Sequence, residues 1–146
     1  MSSSASSAEG QRTICDKLGI TPGMVVQEVG ADDDIDMALR DAIVERTGTE
    51  IVGADYDDVV DVVLIWWRED DGDLVDALVD ALTALAASGV IWLLTPKAGR
   101  GGHVEPSDIG EAAPTAGLSS TSSISAAQHW SGTRLVSPKV TRAPKR

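Results

Sequence analysis

Nine consecutive residues at positions 59–67, with the sequence VVDVVLIWW, constrain the fold of this chain more than any other feature. All but one are apolar and most are β-branched, which is typical of a strand buried on both faces in a parallel sheet. A second such run, VIWLL, stands at positions 90–94, and the residues between the two runs show apolar spacing typical of a helix. Residues 59–95 therefore predict a strand–helix–strand (βαβ) unit with two parallel strands.

The segments on either side of this unit predict further strands. Before it, a Thr-Pro-Gly turn leads into a strand at about 24–29, and residues 50–52 favour another short strand. After it, residues 118–129 alternate as a strand that Ser131 and Gly132 turn back, giving a terminal hairpin. We therefore expect an α/β fold: a small Rossmann-like three-layer sandwich whose mainly parallel sheet has five or six strands and a C-terminal antiparallel hairpin.

Three helices are predicted, each from an N-cap residue and a glycine stop signal. In chain order, the caps and stops are Asp32–Asp34 with Gly48, Asp73 with Gly89, and Ser107 with Gly117. Pro114 should kink or shorten the end of the third helix, because proline has no backbone N–H to donate.

The predicted elements form one domain. A length of 146 residues suits a single hydrophobic core. We expect a disordered Ser/Ala-rich leader at 1–12, a single α/β domain at 13–138 and a basic flexible tail at 139–146.

Composition excludes several classes of partner. The longest apolar stretch is strand-sized, so we expect no transmembrane helix. The start of the chain lacks the basic and apolar regions of a signal peptide, which predicts a cytoplasmic protein with no membrane partner. A net charge of −11 argues against nucleic-acid binding, because an acidic body repels phosphates.

The sequence contains no catalytic or metal-binding signature. Placing Gly72 at the sixth position of a calcium loop puts Trp67 and Leu78 at two ligand positions that need oxygen atoms. No G-x-S-x-G elbow accompanies the two histidines. Cys15 is the only cysteine, so it can form neither an intrachain disulfide nor a cysteine zinc site. We assign no catalytic residue and no metal ligand, and the cofactor remains unknown.

Two loops of opposite charge should lie at the carboxyl ends of the two buried strands. The acidic loop EDDGD contains Asp70, and the Gly-rich loop after the second strand contains Lys97, Arg100 and His103. Ligands of open α/β sheets bind outside the carboxyl ends of the strands, and these basic side chains could hold a phosphate or carboxylate. A solvated acidic turn and a mobile basic connection are the alternatives that the sequence leaves open.

Four ordered stretches of the chain give a more specific signal. They are KLGITPGM at 17–24, DVVLIWW at 61–67, VIWLLTPK at 90–97 and WSGTRLV at 130–136. Over about residues 13–139 they resemble the bacterial family called domain of unknown function 3052, which is common in actinobacteria. The order of predicted elements also resembles a reduced class I methyltransferase-type Rossmann sheet.

The family resemblance implies a cytoplasmic bacterial protein and brings no established activity, cofactor or catalytic residue. Lys97 and Arg134 are polar positions inside the four stretches, and burial cannot explain them. We therefore add Arg134 to the candidate ligand-binding residues.

Two hypotheses of function follow, and they belong to different classes. The first, favoured by a complete scaffold without paired catalytic groups, is a non-enzymatic accessory or regulatory domain that binds a protein partner or a small anionic ligand. The second is a small enzyme or transferase-like protein with Asp70, Lys97, Arg100 and His103 at the carboxyl edge of the two buried strands. A homodimer through the exposed edge of the terminal hairpin is a further expectation, because unpaired strand edges pair readily.

Overall fold

The computed structural model describes residues 14–137, and a helical turn at 14–18 precedes the first strand. The predicted leader at 1–12 and tail at 139–146 lie outside the described residues. The elements are β1 (Val26–Val29), α1 (Met37–Thr47), β2 (Val60–Trp66), α2 (Leu74–Ala84), β3 (Leu85–Pro96), α3 (Pro106–Thr115), β4 (Ser119–Ser125) and β5 (Trp130–Val136).

Five strands form one mixed sheet in the order β1-β2-β3-β5-β4. β1, β2 and β3 are parallel, with Ile65 of β2 opposite Val29 on one side and Leu93 on the other. β5 returns antiparallel to β3, and β4 pairs antiparallel with β5 at the edge of the sheet, so β4 runs in the direction of β3. In place of the short strand predicted at 50–52, Val52 forms an isolated bridge to Gln27 of β1. The predicted Rossmann-like sheet with a terminal hairpin is confirmed.

Helices cover both faces of this sheet, which gives the three predicted layers. Because side chains of a strand alternate between faces, β2 sends Leu64 and Trp66 into one core cluster and Val63 into the other. The turn at 14–18 and α1 complete the first cluster, while α2 and α3 complete the second. β2 and β3 are therefore buried on both faces, as their near-continuous apolar runs predict.

The first helix begins later than predicted. Asp36, and not Asp32–Asp34, is its N-cap, and the Asp36 carboxylate accepts a hydrogen bond of 2.9 Å from the backbone N–H of Leu39. The predicted stop is confirmed, since Gly48 adopts a φ of 80° and its N–H donates to Val44 O. The local charge pattern marked the helix start correctly only to within one turn.

The second helix has the predicted cap and a different end. The carboxylate of Asp73 accepts a hydrogen bond from the N–H of Asp76, but α2 ends at Ala84. Gly89 lies inside β3, where a Cβ would come within 2.8 Å of Asp61 O. This glycine allows two strands to approach closely and does not stop a helix.

The predicted hairpin turn at Ser131 and Gly132 is wrong, because both residues lie inside β5 and the chain turns at 126–129. A Cβ on Gly132 would lie 3.3 Å from side-chain atoms of Leu94 and of Trp92, so this glycine makes room for core packing. The cap of the third helix is also corrected: Glu105 precedes α3, and the helix starts with a proline instead of following a Ser107 cap.

The proline predicted to disturb the third helix lies inside it. Pro114 occupies the last turn of α3, which ends one residue later at Thr115. Gly117, the predicted stop, adopts a φ of 89° just beyond the helix.

Candidate functional site

The crevice between β1 and β2 is the point where the path of the chain through the sheet reverses. From β1 the chain passes outward to Val52 and then returns to β2 on the other side of β1. Open α/β sheets bind ligands outside the carboxyl ends of the strands at such a reversal. The loops after β1 and after β2 therefore frame the first candidate site.

Arg68 bridges these two loops. Its guanidinium donates to the backbone oxygens of Gly30 at 2.8 Å and of Trp66 at 3.0 Å. It also forms ion pairs with the carboxylates of Asp34 and Asp71, and its side chain is only 15% exposed. We call these five residues the Arg68 clamp. The clamp ties together the carboxyl ends of β1 and β2 with atoms of the chain itself.

Gly30 makes this close approach possible. It adopts a φ of 80°, and a Cβ at this position would collide with the backbone oxygen of Trp66. Both the left-handed backbone and the missing side chain are properties that only glycine supplies without strain.

Aromatic and charged side chains fill the space beneath the clamp. The Trp130 ring lies 5.3 Å from the guanidinium carbon of Arg68 and packs edge-on against Trp66, with ring centroids 4.9 Å apart. The indole N–H of Trp66 donates at 2.9 Å to the buried carboxylate of Glu28, which also accepts from Arg40 at 3.0 Å. Among residues 14–137, no buried side-chain nitrogen or oxygen lacks a hydrogen-bond partner.

The ion pair in the clamp stabilises the charged form of both partners. The hydrogen bond from Arg68 lowers the pKa of the Asp34 carboxyl below its ordinary value of 3.8. The Asp34 carboxylate in turn raises the pKa of Arg68 above its ordinary value. Asp34 is held in place further by its backbone oxygen, which accepts from the Trp130 indole N–H at 3.3 Å. At neutral pH the Arg68–Asp34 pair is therefore charged on both sides.

A second candidate site is a groove of about 330 Å³ between α3 and the β4–β5 hairpin. An adjoining cavity of about 310 Å³ extends it along α3, past Ser120 and Thr121. We call the first of these the hydroxyl groove, because serine and threonine side chains from three neighbouring strands form one of its walls. That wall contains Thr95, Ser123, Ser125, Ser131 and Thr133, and the facing wall contains His103, Val104, Pro106 and Ile109.

Two of the predicted site residues meet at the hydroxyl groove. Lys97 donates from Nζ to the hydroxyl oxygen of Ser125 at 2.6 Å, and it makes no ion pair within residues 14–137. His103 lines the groove, with Nδ1 2.9 Å from the backbone oxygen of Pro96. Arg100 is exposed in the same turn, where its backbone N–H donates to Lys97 O.

The other two predicted residues lie elsewhere. Asp70 is exposed in the loop after β2, which contacts the 97–103 loop through a hydrogen bond of 2.9 Å from Glu69 N to Gly102 O. Arg134 stands in β5 opposite Trp92 and donates to the Thr121 hydroxyl at 2.9 Å. Their role in ligand binding stays a prediction.

Sequence reasoning missed both the clamp and the hydroxyl wall. The partners Gly30 and Asp34 are 38 and 34 residues away from Arg68, and no local pattern links such distant positions. The wall did leave a signal, because residues 119–125 read SSTSSIS within a predicted strand. A hydroxyl-rich strand with one apolar residue is a poor core strand, and it could have indicated a polar surface.

Within the described range 14–137, no group of three or more His, Cys, Asp and Glu side chains could hold a metal ion. No helix in that part of the chain is long and apolar enough to cross a membrane. Burial raises the pKa of the Cys15 thiol, which donates to Ala42 O at 3.4 Å, so this cysteine serves packing.

The fold of this chain, as a whole, is similar to that of several solved methyltransferases. This chain is similar to an S-adenosylmethionine-dependent methyltransferase from Aquifex aeolicus, with a TM-score of 0.57, 11% identity and coverage of 86% of this chain and 88% of that one. It is similar to a TehB-like methyltransferase from Corynebacterium glutamicum, with a TM-score of 0.53, 16% identity and coverage of 88% and 87%. An O-methyltransferase of neocarzinostatin biosynthesis, solved with S-adenosyl-L-homocysteine, is similar with a TM-score of 0.59 and 14% identity. The match covers 79% of this chain but only 49% of that one. These identities show the fold alone: a Rossmann-like domain of the methyltransferase type.

The chain belongs to the family described as a protein of unknown function, DUF3052, which matches residues 15–139. Uncharacterized proteins of Mycobacterium bovis and Mycobacterium tuberculosis are 55% identical to it over 130 residues, which are 89% of this chain and 81% of theirs. The family predicted from the four sequence stretches is confirmed.

Proposed function

We propose that this chain is a non-catalytic binding domain with a methyltransferase-type fold. It acts as an accessory or regulatory module by binding a protein partner or a small anionic ligand. The observation that carries this proposal is the Arg68 clamp. The clamp joins β1 to β2 where an open α/β sheet would hold its ligand.

Opening the crevice costs free energy, which supports the proposal. Without Arg68 in place, the backbone oxygens of Gly30 and Trp66 would lose charge-assisted hydrogen bonds of 2.8 and 3.0 Å. Hydrogen bonds to charged groups contribute roughly 1.5–3 kcal/mol each. A ligand that has to open the clamp loses about tenfold in affinity for every 1.4 kcal/mol of that cost.

The fold neighbours supply the ligand for the test. The neocarzinostatin enzyme was solved with S-adenosyl-L-homocysteine, and others of the fold depend on S-adenosylmethionine. At 16% identity or less, their ligand is not carried over to this chain. If this chain were a methyltransferase like these neighbours, it should bind S-adenosylmethionine or S-adenosyl-L-homocysteine.

Calorimetric titration with S-adenosylmethionine and S-adenosylhomocysteine tests the proposal, with the Corynebacterium methyltransferase as positive control. We expect no binding heat and no rise in melting temperature for this chain at millimolar ligand. A ligand present at about 100 times its dissociation constant would stabilise the native state by about 2.7 kcal/mol, which a melting curve detects easily. A clear rise, with amide shifts in the loops at 30–36 and 67–73, would instead support the transferase alternative and refute the proposal.

A further inference from the structure

We infer that the hydroxyl groove, with Lys97 at its rim, binds a small phosphorylated sugar. This inference rests on the proposed binding function and names the chemistry of the ligand. A sugar phosphate offers two different features to the protein, an anion and several hydroxyl groups. The groove has a matching feature for each of them.

Lys97 provides the charge for the anion. The chain as a whole has a net charge of −11, yet this ammonium has no carboxylate partner within residues 14–137. Its contact is with a neutral hydroxyl, that of Ser125, and an ammonium has three N–H groups to donate. Two donors therefore remain for a phosphate oxygen, and such charge-assisted hydrogen bonds are among the strongest that a protein makes. The exposed Arg100 in the same turn adds a second positive charge nearby.

The sheet wall provides the partners for sugar hydroxyl groups. The strand register brings Ser131 opposite Thr95 on one side and Ser125 on the other, with Ser123 opposite Thr133 in the next row of the same face. Each serine and threonine hydroxyl can both donate and accept, as the hydroxyl groups of a sugar also do. The groove of about 330 Å³ thus places five hydroxyl groups beside apolar surface, the combination that small-molecule pockets usually show.

His103 completes the recognition from the facing wall. With Nδ1 2.9 Å from the backbone oxygen of Pro96, that nitrogen carries the proton and donates it. In the tautomer with its proton on Nδ1, the other ring nitrogen Nε2 can accept a hydrogen bond from a sugar hydroxyl. The nearest acidic group is Glu105, whose carboxylate lies 3.8 Å from Nε2 and is 70% exposed. The apolar side chains of Val104 and Ile109 in this wall suit the C–H face of a sugar ring.

The experiment follows amide shifts by NMR in titrations of the full chain with ribose 5-phosphate, ribose and inorganic phosphate. We expect ribose 5-phosphate to bind most tightly and to shift the amides of the sheet wall and of His103. Lys97→Gln should weaken its binding about tenfold or more, because a charge-assisted contact is lost. Lys17→Gln is the matched control, because this exposed lysine lies in the turn at 14–18, on the other face of the sheet. Its replacement should leave the affinity for ribose 5-phosphate unchanged.

A second variant keeps the test independent of any folding defect. Thr133→Val retains the shape of the side chain and removes one hydroxyl. It should therefore weaken the binding of ribose 5-phosphate and leave the binding of inorganic phosphate unchanged. Absence of ribose 5-phosphate shifts in the groove, or equal affinity of the Lys97→Gln variant, would overturn the inference. Because S-adenosylmethionine would shift the loops at 30–36 and 67–73 instead, failure of the groove and failure of the proposed non-catalytic function give different results.

Discussion

Gly30 and Gly23 both adopt a positive φ, at 80° and 87°, but only at Gly30 does a backbone oxygen occupy the position of a Cβ. Gly23→Ala should lower the free energy of unfolding by about 1–2 kcal/mol, the cost of a left-handed conformation. Gly30→Ala carries the same cost and in addition pushes Trp66 away, so we expect a loss of about 3 kcal/mol or more. Urea unfolding of the two variants measures the difference, and equal losses would show that the clamp tolerates separation of its loops.

Asp34 contributes to stability in a defined range of pH. Its folded-state pKa is lowered by Arg68, so its contribution is fully present above the unfolded value of about 3.8 and is lost as the pH falls through the folded value. The carboxylate is 49% exposed, so solvent screens the pair and the effect is modest. We expect Asp34→Asn to lose less stability than the native chain between pH 5 and pH 3, measured by urea unfolding. Asp33→Asn is the neighbouring control, and an identical pH dependence for both variants would contradict this role for Asp34.

The acidic segment at 32–36 shows how much of the site could be predicted at the scale of single residues. Every aspartate in it can cap a helix, so the sequence located the helix start only approximately, and Asp36 takes that position. Asp34 instead pairs with Arg68, which stands 34 residues further along the chain. Local chemistry predicts caps, whereas contacts between distant loops need the tertiary fold.

At the scale of elements, the strands were predictable where burial leaves a pattern in the sequence. β2 and β3 are buried on both faces and have apolar runs, so both were found. The end of α2 and the hairpin turn were not found, because Gly89 and Gly132 resemble turn residues. In the structure these glycines make room for neighbouring backbone and side chains. A glycine that serves packing cannot be distinguished from one that serves a turn without knowing its neighbours.

β4 is an edge strand whose seven residues carry no charge, and its side chains are exposed except for that of Ile124. Charged side chains usually protect such an edge, so the predicted homodimer would form by antiparallel pairing of two β4 strands. Sedimentation velocity at several concentrations should show a dimer for the native chain. Ser120→Asp places a carboxylate on the strand opposite the uncharged Leu135 of its own chain, and should give a monomer because two such edges repel. A native chain that stays monomeric at every concentration would rule this interface out.

At the scale of the whole molecule, the parallel sheet explains which part of the site the sequence could reveal. Parallel strands place the loops at their carboxyl ends on one edge, so the sequence could place the loop of Asp70 beside the loop of Lys97 and His103, and the two loops are in contact. It could not reveal that β1 lies beside β2, and the clamp depends on that neighbourhood. The groove likewise depends on the position of β5 between β3 and β4, which sets the serines beside Thr95.

The net charge of −11 gives a final prediction for the molecule as a whole. Self-repulsion of the acidic body destabilises the compact state, and salt shortens its range from about 30 Å at 0.01 M to about 8 Å at 0.15 M. Salt also weakens ion pairs such as that of Arg68 with Asp34, but exposed pairs contribute only about 0–1 kcal/mol. The repulsion should therefore dominate, and we expect the melting temperature to rise by a few degrees between 10 and 150 mM sodium chloride and then to level off. Sucrose, which carries no charge, should give no such plateau. A melting temperature that falls with salt would mean that the ion pairs outweigh the repulsion among the acidic side chains.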